Sequence, residues 1–213
     1  SATTPVIEMQ KFSFEGLKQN SLPFNETTNR LKPFQFAHAF SVNLTTQNSG
    51  EWVLKQNNIS VWKLNIKSTG AESLNLIFEH FKLPEKARLF VYSKDMKHIL
   101  GAYTSKNNKQ SGKFAVSPVE GDEITIQYEV PEKHRFDKNF EITRVNHDYV
   151  GILKYKDRRP LGITAGDCNI DVNCEIAREW EEVKNSVCRL IVNGREICTG
   201  TLVNNTAEDQ KPY

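Results

Sequence analysis

Apolar and polar residues alternate along much of the chain between residues 37 and 150. In the segment from Val61 to Lys67, apolar residues occupy every second position from Trp62 onward, and polar residues lie between them. A period of two is typical of a strand with one buried face. The same reasoning predicts strands near 39–44, 73–78, 88–92, 99–103, 113–117, 123–130 and 140–150, with a shorter apolar segment at 52–54.

Turn residues separate these strands at intervals of about ten residues, the spacing of all-β domains. No amphipathic helix pattern lies between them, and Pro118 and Pro131 fall at strand ends, where a missing amide donor is harmless. Short strands in regular succession favour a mainly β fold, an antiparallel β-sandwich or jelly roll. Residues 1–35 predict only one or two short strands with loops.

Basic residues crowd a short segment after the last of these strands. They are Lys154, Lys156, Arg158 and Arg159. Because Pro160 follows them, regular structure is disfavoured, and we predict an exposed linker over 154–161. Exposed basic loops are common sites of proteolytic cleavage, so this linker is a candidate processing region, although a plain solvated loop fits the same residues. The linker separates a first domain, 1–153, from a second unit, 162–213.

The second unit contains a predicted hairpin. A short helix is predicted at 175–184, followed by apolar-rich segments at 186–192 and 195–203. Asn193-Gly194 lies between these two segments and is the strongest short signal for a two-residue hairpin turn. The second unit therefore also predicts β structure.

All four cysteines lie in this unit, between residues 168 and 198. Their spacing lacks the paired ligands of common zinc sites, so disulfides are favoured over a metal and indicate an oxidising, exported location. The four cysteines are Cys168, Cys174, Cys188 and Cys198. In a two-residue turn, Arg189 would face Cys198 and Cys188 would point to the opposite face. A Cys188–Cys198 bridge is then disfavoured unless the turn has an additional residue, and Cys188 is predicted to be a free, buried thiol.

Composition narrows the classes of function. The chain has 213 residues, 38% hydrophobic and 25% charged, with a formal net charge of +2. That balance is typical of a soluble globular protein and argues against a dedicated nucleic-acid binder, which would carry a basic face. No stretch approaches the length of apolar sequence that a membrane span requires.

No catalytic or cofactor motif is present in the sequence. The patterns of zinc proteases, nucleophile elbows, phosphate-binding loops and dinucleotide folds are all missing. His147-Asp148 could be a base with its orienting acid, but both lie in a predicted strand, where successive side chains point to opposite faces. We therefore expect structural roles for both residues, and we predict no catalytic residue, metal or cofactor in this chain.

Two segments carry a resemblance to a known family. The segment GITAGDCNIDVNC at 162–174 and the segment CTGTLVNNT at 198–206 resemble the start of the mature catalytic domain in bacterial lysyl endopeptidases, a branch of the trypsin-like serine proteases. Upstream segments, including 83–92 and 117–122, resemble the β-rich propeptide or accessory region of such precursors. The resemblance thus covers both predicted units.

The resemblance implies that 1–153 is a pro or accessory domain and that 162–213 is an incomplete segment of a trypsin-like β-barrel. The catalytic histidine and the cysteine after it would follow Tyr213, so this chain would supply none of the triad. Cys198 would pair with that later cysteine, and Cys168 and Cys174 with later parts of the protease domain. Without their barrel partners, the strands of 162–213 are expected to have unpaired edges.

The leading hypothesis is the non-catalytic N-terminal part of a secreted, periplasmic or cell-surface serine endopeptidase precursor. Its partners would be the remainder of the protease domain and, for the parent enzyme, a protein or peptide substrate cut after lysine. One alternative is a carbohydrate- or surface-binding sandwich, for which Trp52 and Trp62 would have to lie exposed on one face. Another is a truncated gene product with no protease activity.

Overall fold

The computed structural model of the protein describes residues 4–11, 13, 24–25, 30–31, 34–54, 57–154 and 175–203. The strands are β1 (Val6–Glu8), β2 (Phe24–Asn25), β3 (Arg30–Leu31), β4 (Phe34–Gln35), β5 (Ala37–Leu44), β6 (Glu51–Leu54), β7 (Ile59–Lys67), β8 (Ser73–Glu79), β9 (Arg88–Ser93), β10 (Ile99–Tyr103), β11 (Phe114–Ala115), β12 (Val119–Glu120), β13 (Glu123–Pro131), β14 (Glu141–Asp148), β15 (Val187–Val192) and β16 (Glu196–Thr201). Short 3-10 helices lie at Ser105–Asn107, Glu132–His134, Ile152–Lys154 and Glu175–Trp180. The α-helix α1 spans Glu181–Lys184.

Two antiparallel sheets form the sandwich. The first has the order β1-β7-β13-β9-β10, with β6 on the same edge of β7 as the parallel strand β1. The second has the order β11-β8-β14-β5, with β12 beside the other half of β8. None of the described sheets closes into a barrel.

The core lies between these two sheets and follows the alternation in the sequence. In β7, Trp62, Leu64 and Ile66 are fully buried, while the polar residues between them are partly exposed. Leu74, Leu76 and Phe78 of β8 are buried against them in the same cluster. Burial of apolar surface is the main stabilising contribution to such a fold. The predicted mainly β sandwich is confirmed.

Two predicted elements differ from the structure. The segment expected at 113–117 contributes only the two-residue strand β11. The helix expected at 175–184 is a 3-10 segment followed by the four residues of α1, and neither buries a side chain. Because a short helix depends on a buried apolar face for stability, the missing burial accounts for the irregular helix. No helix among the described residues is long and apolar enough to cross a membrane.

A third sheet joins the C-terminal hairpin to the sandwich. Its order is β15-β16-β4, and β16 pairs with β4 through Glu196–Gln35 and Ile197–Phe34. The expectation that strands of 162–213 would have unpaired edges is therefore wrong for β16. Within the described residues, no strand pairs with the outer edge of β15.

The hairpin turn has three residues, so the predicted two-residue turn is wrong. Val192 pairs with Glu196, and the amide of Arg195 donates to the carbonyl of Val192 at 3.2 Å. Arg195 leaves the β15–β16 ladder because its own carbonyl accepts hydrogen bonds from Phe36 and Ala37 of the sandwich. Three-residue loops are the next most common hairpin connection after two-residue turns.

This register changes the expected placement of the cysteines. Cys188 pairs with Gly200 and Cys198 with Leu190, so the two cysteines share one face of the hairpin as diagonal neighbours. Both thiols are exposed and neither forms a disulfide with another described cysteine. The expected burial of Cys188 is wrong. Diagonal neighbours lie about 7–8 Å apart, so bridging the two would require the backbone to move.

Candidate functional site

The outer face of the second sheet carries buried polar residues at one end. Asn75 of β8 and Asn146 of β14 point away from the core, yet their side chains are only 1% and 0% exposed. Ser73 and Asp148 lie beside them on the same face and are also fully buried. Sequence analysis considered Asp148 only as a partner of His147 and missed Ser73, Asn75 and Asn146, because outward polar positions in a strand normally contact water. The C-terminal hairpin contacts Asn75 and Asn146, whereas Asp148 binds Ser73 and the turn directly after β14.

The hairpin turn contacts the two asparagines directly. The side-chain amide of Asn75 donates to the carbonyl of Gly194 at 2.8 Å, and the amide of Asn146 donates to Oδ1 of Asn75 at 2.8 Å. Gly194 has a φ of +73° and is buried. A Cβ atom at this position would lie 2.6 Å from Oδ1 of Asn75 and closer still to Nδ2 of Asn146. The asparagine pair therefore leaves room for glycine at position 194 and for no larger residue.

Backbone and apolar contacts extend the site along the hairpin. The carbonyl of Arg195 accepts from the amides of Phe36 and Ala37 at 2.9 Å and 3.3 Å. An apolar cluster lies beneath β16. Its members are Phe34, Phe36, Ala37, Val150, Ile152 and Ile197. Because Ile197 is the hairpin's contribution, the cluster holds the sandwich and the hairpin together by apolar burial as well as by hydrogen bonds.

Asp148 builds the turn that carries Val150 and Ile152 into this cluster. Its Oδ1 accepts from the amides of Val150 and Gly151 at 2.9 Å and 2.7 Å, and its Oδ2 accepts from Ser73 Oγ and the Ile152 amide at 2.7 Å and 3.0 Å. Burial raises the pKa of the Asp148 carboxyl, and these hydrogen bonds act in the opposite direction. The Asp148 carboxyl group therefore stabilises the backbone of the turn at residues 150–152.

The docked hairpin lies in a part of the chain that matches a known family. Residues 163–213 match the family model of the lysyl endopeptidase C-terminal domain. The C-terminal part of the chain is thus related to lysyl endopeptidases. Both β15 and β16 fall inside the matched stretch, whereas Asn75, Asn146 and β4 precede it. The site joins a lysyl endopeptidase-related segment to the sandwich.

His147 and Asp148 do not form a catalytic pair in this lysyl endopeptidase-related chain. Nδ1 of His147 lies 2.7 Å from Ser68 Oγ inside the sandwich, whereas Asp148 points to the opposite face of β14. Both side chains are buried, so a substrate could not reach them. Burial, with the nearby charge of His38 as a smaller cause, lowers the pKa of His147 to about 4.

This lowered pKa predicts a stability change in mild acid. Between about pH 6.5 and pH 4, the unfolded chain binds a proton at His147 and the folded chain does not. Stability is therefore fully present above that window and should fall by about 2–3 kcal/mol as the pH drops through it. Urea unfolding at pH 7 and pH 4.5 measures the loss.

The matched variant for this measurement is His147→Asn, which keeps a side chain able to bond with Ser68 Oγ. The variant and the natural chain share every carboxylate, so the difference between their pH profiles isolates His147. We expect a flatter profile for the variant. Identical profiles for both chains would contradict the assignment.

Only one of the predicted linker residues lies in the described part of the chain. Lys154 ends a 3-10 helix, and its Nζ lies 3.0 Å from Oε1 of Glu120 and 3.7 Å from Oε2 of Glu72. The start of the predicted linker is thus fixed to the sandwich. The remaining predicted site residues before the hairpin lie outside the described residues: Lys156, Arg158, Arg159, Cys168 and Cys174.

The tryptophans needed for the carbohydrate-binding alternative are not available on the surface as a platform. Trp62 is fully buried and donates its indole N–H to the Ser49 carbonyl at 2.7 Å. Trp52 packs against the same core and donates to the Thr46 carbonyl at 2.9 Å. No group of three or more histidine, cysteine or acidic side chains among the described residues is arranged to hold a metal ion.

Proposed function

We propose that this chain is the non-catalytic N-terminal part of a secreted serine endopeptidase precursor of the lysyl endopeptidase type. In this proposal, residues 1–153 are a pro or accessory sandwich, 154–161 are a processing linker, and 162–213 begin the protease domain. One observation carries the proposal: a hairpin from the stretch that matches lysyl endopeptidases is bound, through its glycine turn, to a surface built by the sandwich.

Exposed apolar side chains support the remainder of a protease domain as the second partner. They lie on the C-terminal helices and hairpin and in the two residues after it, and they are Ile176, Trp180, Val183, Val187, Leu190, Ile191, Val192, Leu202 and Val203. Exposed apolar side chains this numerous in a short segment are typical of a surface that other protein segments cover. Further strands of a protease barrel would cover this surface and would supply a neighbour for the outer edge of β15.

The parent enzyme would hydrolyse peptide bonds with a serine–histidine–aspartate triad and an oxyanion hole. Its substrate would be a protein or peptide cut after lysine, as the family resemblance implies. The exposed thiol of Cys198 is accessible for a disulfide with a later cysteine, and the same role is proposed for Cys168 and Cys174. Such disulfides fit a secreted protein.

The test is a cleavage assay on the full-length gene product after its linker has been cut. A peptide panel would carry lysine, arginine or a neutral residue before the scissile bond. We expect cleavage after lysine, abolished by a serine-reactive inhibitor. A product that cleaves none of these peptides would refute the protease proposal and leave the sandwich as the functional part.

A further inference from the structure

We propose that the hairpin remains bound to the sandwich after the linker is cut. The protease segment is then released when another strand displaces the hairpin, and not by the cut itself. This inference rests on the proposed function, because it treats the cut in 154–161 as the processing step. The ligand of the site is a hairpin of this same chain, recognised by its glycine-containing turn and by one strand edge.

Within the described part of the chain, the groups that join the sandwich to the hairpin lie either before or after the linker. On the sandwich side, β4, Asn75, Asn146 and Ile152 all precede Lys154. On the hairpin side, the contact residues all follow α1. Lys154 is itself held by Glu120, Glu72 and a backbone bond from its amide to the Gly151 carbonyl at 3.0 Å. A cut beyond Lys154 therefore removes none of the contacts seen among the described residues.

The contacts are costly to break. The side-chain amide of Asn75 is buried, so departure of the turn leaves its Nδ2 donor without an acceptor until water fills the site. The apolar cluster around Phe36 and Ile152 would also lose Ile197 as a neighbour. Cutting the linker changes neither the Asn75 hydrogen bond nor the apolar contact of Ile197. It only lowers the effective concentration of the hairpin at the surface of the sandwich. Binding should therefore persist and become dependent on protein concentration.

The strand edges indicate what could displace the hairpin. β15 occupies one edge of β16, and β4 occupies the other edge at Glu196 and Ile197. A closed barrel requires each strand to pair along both edges. A protease strand that pairs with β16 at these two residues must replace β4. Completion of a barrel around β16 and retention by the sandwich therefore compete for the same backbone groups.

The experiment uses the full chain of residues 1–213 with a recognition sequence for a site-specific protease placed directly after Lys154. After cutting, size-exclusion chromatography at micromolar concentrations separates bound from released fragments. We expect the C-terminal fragment to elute with the sandwich. Asn75→Ala should weaken retention about tenfold, because it removes the donor to Gly194. Asn65→Ala is the matched control, since Asn65 accepts from Thr125 on the first sheet, and it should retain the fragment.

Circular dichroism of each cut sample verifies that the sandwich is folded. If Asn75→Ala unfolds it, Gly194→Ala tests the same contact from the hairpin side. Separate elution of the natural fragments with a folded sandwich would overturn the inference, and so would equal retention in the Asn75→Ala or Gly194→Ala variant. The peptide assay on the full-length product is independent of this experiment. Retention of the fragment, together with a full-length product that cleaves no peptide, would refute only the protease proposal. Peptide cleavage by the full-length product, together with immediate release of the fragment, would refute only the retention proposal.

Discussion

Gly194→Ala is expected to detach the hairpin while the sandwich stays folded. The residue has a φ of +73°, and the new methyl group would overlap both Asn75 and Asn146. Left-handed backbone strain together with the loss of the Asn75 hydrogen bond should weaken docking by about 3–5 kcal/mol. Amide hydrogen exchange measures this, because the Phe36 amide, which donates to Arg195, should exchange faster. Amides between β7 and β13 should keep their protection.

Gly70→Ala is the control for this experiment. Gly70 also has a positive φ, +86°, but no atom lies within 4 Å of the place where its Cβ would be. Gly70→Ala therefore imposes backbone strain without a clash. Phe36 should retain its protection in that variant. Unchanged exchange at Phe36 in Gly194→Ala would mean that the turn does not bind where the structure places it.

Asp148→Ala is expected to lower the free energy of unfolding by about 3–5 kcal/mol, because it leaves buried donors without an acceptor. Those donors are Ser73 Oγ and the amides of Val150, Gly151 and Ile152. Loss of this turn would also move Ile152 and weaken the cluster beneath β16. Urea unfolding at pH 7 measures the first effect, and protection of the Phe36 amide reports the second.

Asp95→Ala is the matched control for Asp148→Ala. Asp95 also accepts from a serine hydroxyl and a backbone amide, Ser93 Oγ and Lys97 N, but its side chain is about half exposed. Water can replace its lost bonds, so the loss of stability should be much smaller than at Asp148. Equal losses in the two variants would contradict the role assigned to burial at Asp148.

The sequence predicted the sandwich well where each strand has one buried face. The alternation from Val61 to Lys67 places Trp62, Leu64 and Ile66 in the core because the other face of β7 stays partly exposed. At the end of β14, the same rule places Asn146 and Asp148 outward, and both are nevertheless fully buried. A periodicity rule considers only the alternation within a strand. It includes neither the distant hairpin turn that lies against Asn146 nor the turn at 150–152 that binds the Asp148 carboxylate.

The hairpin turn failed as a local prediction for the same reason. Asn193-Gly194 alone favours a two-residue turn. Arg195 joins the turn because its carbonyl accepts from Phe36 and Ala37, which no window around Arg195 contains. The candidate site as a whole was therefore beyond sequence analysis, although the resemblance at 162–174 and 198–206 correctly indicated a relation to lysyl endopeptidases.

The position of β4 has a consequence for biosynthesis. β4, Asn75 and Asn146 all precede β16 in the chain, and a protein emerges from its N-terminus during synthesis. The sandwich can therefore fold and present its binding surface before Glu196 and Ile197 are made. Unpaired strand edges are where chains aggregate. If 162–213 begins a protease barrel, as proposed above, the sandwich would cover one edge of β16 as soon as that strand forms and would protect it from aggregation until later strands are made.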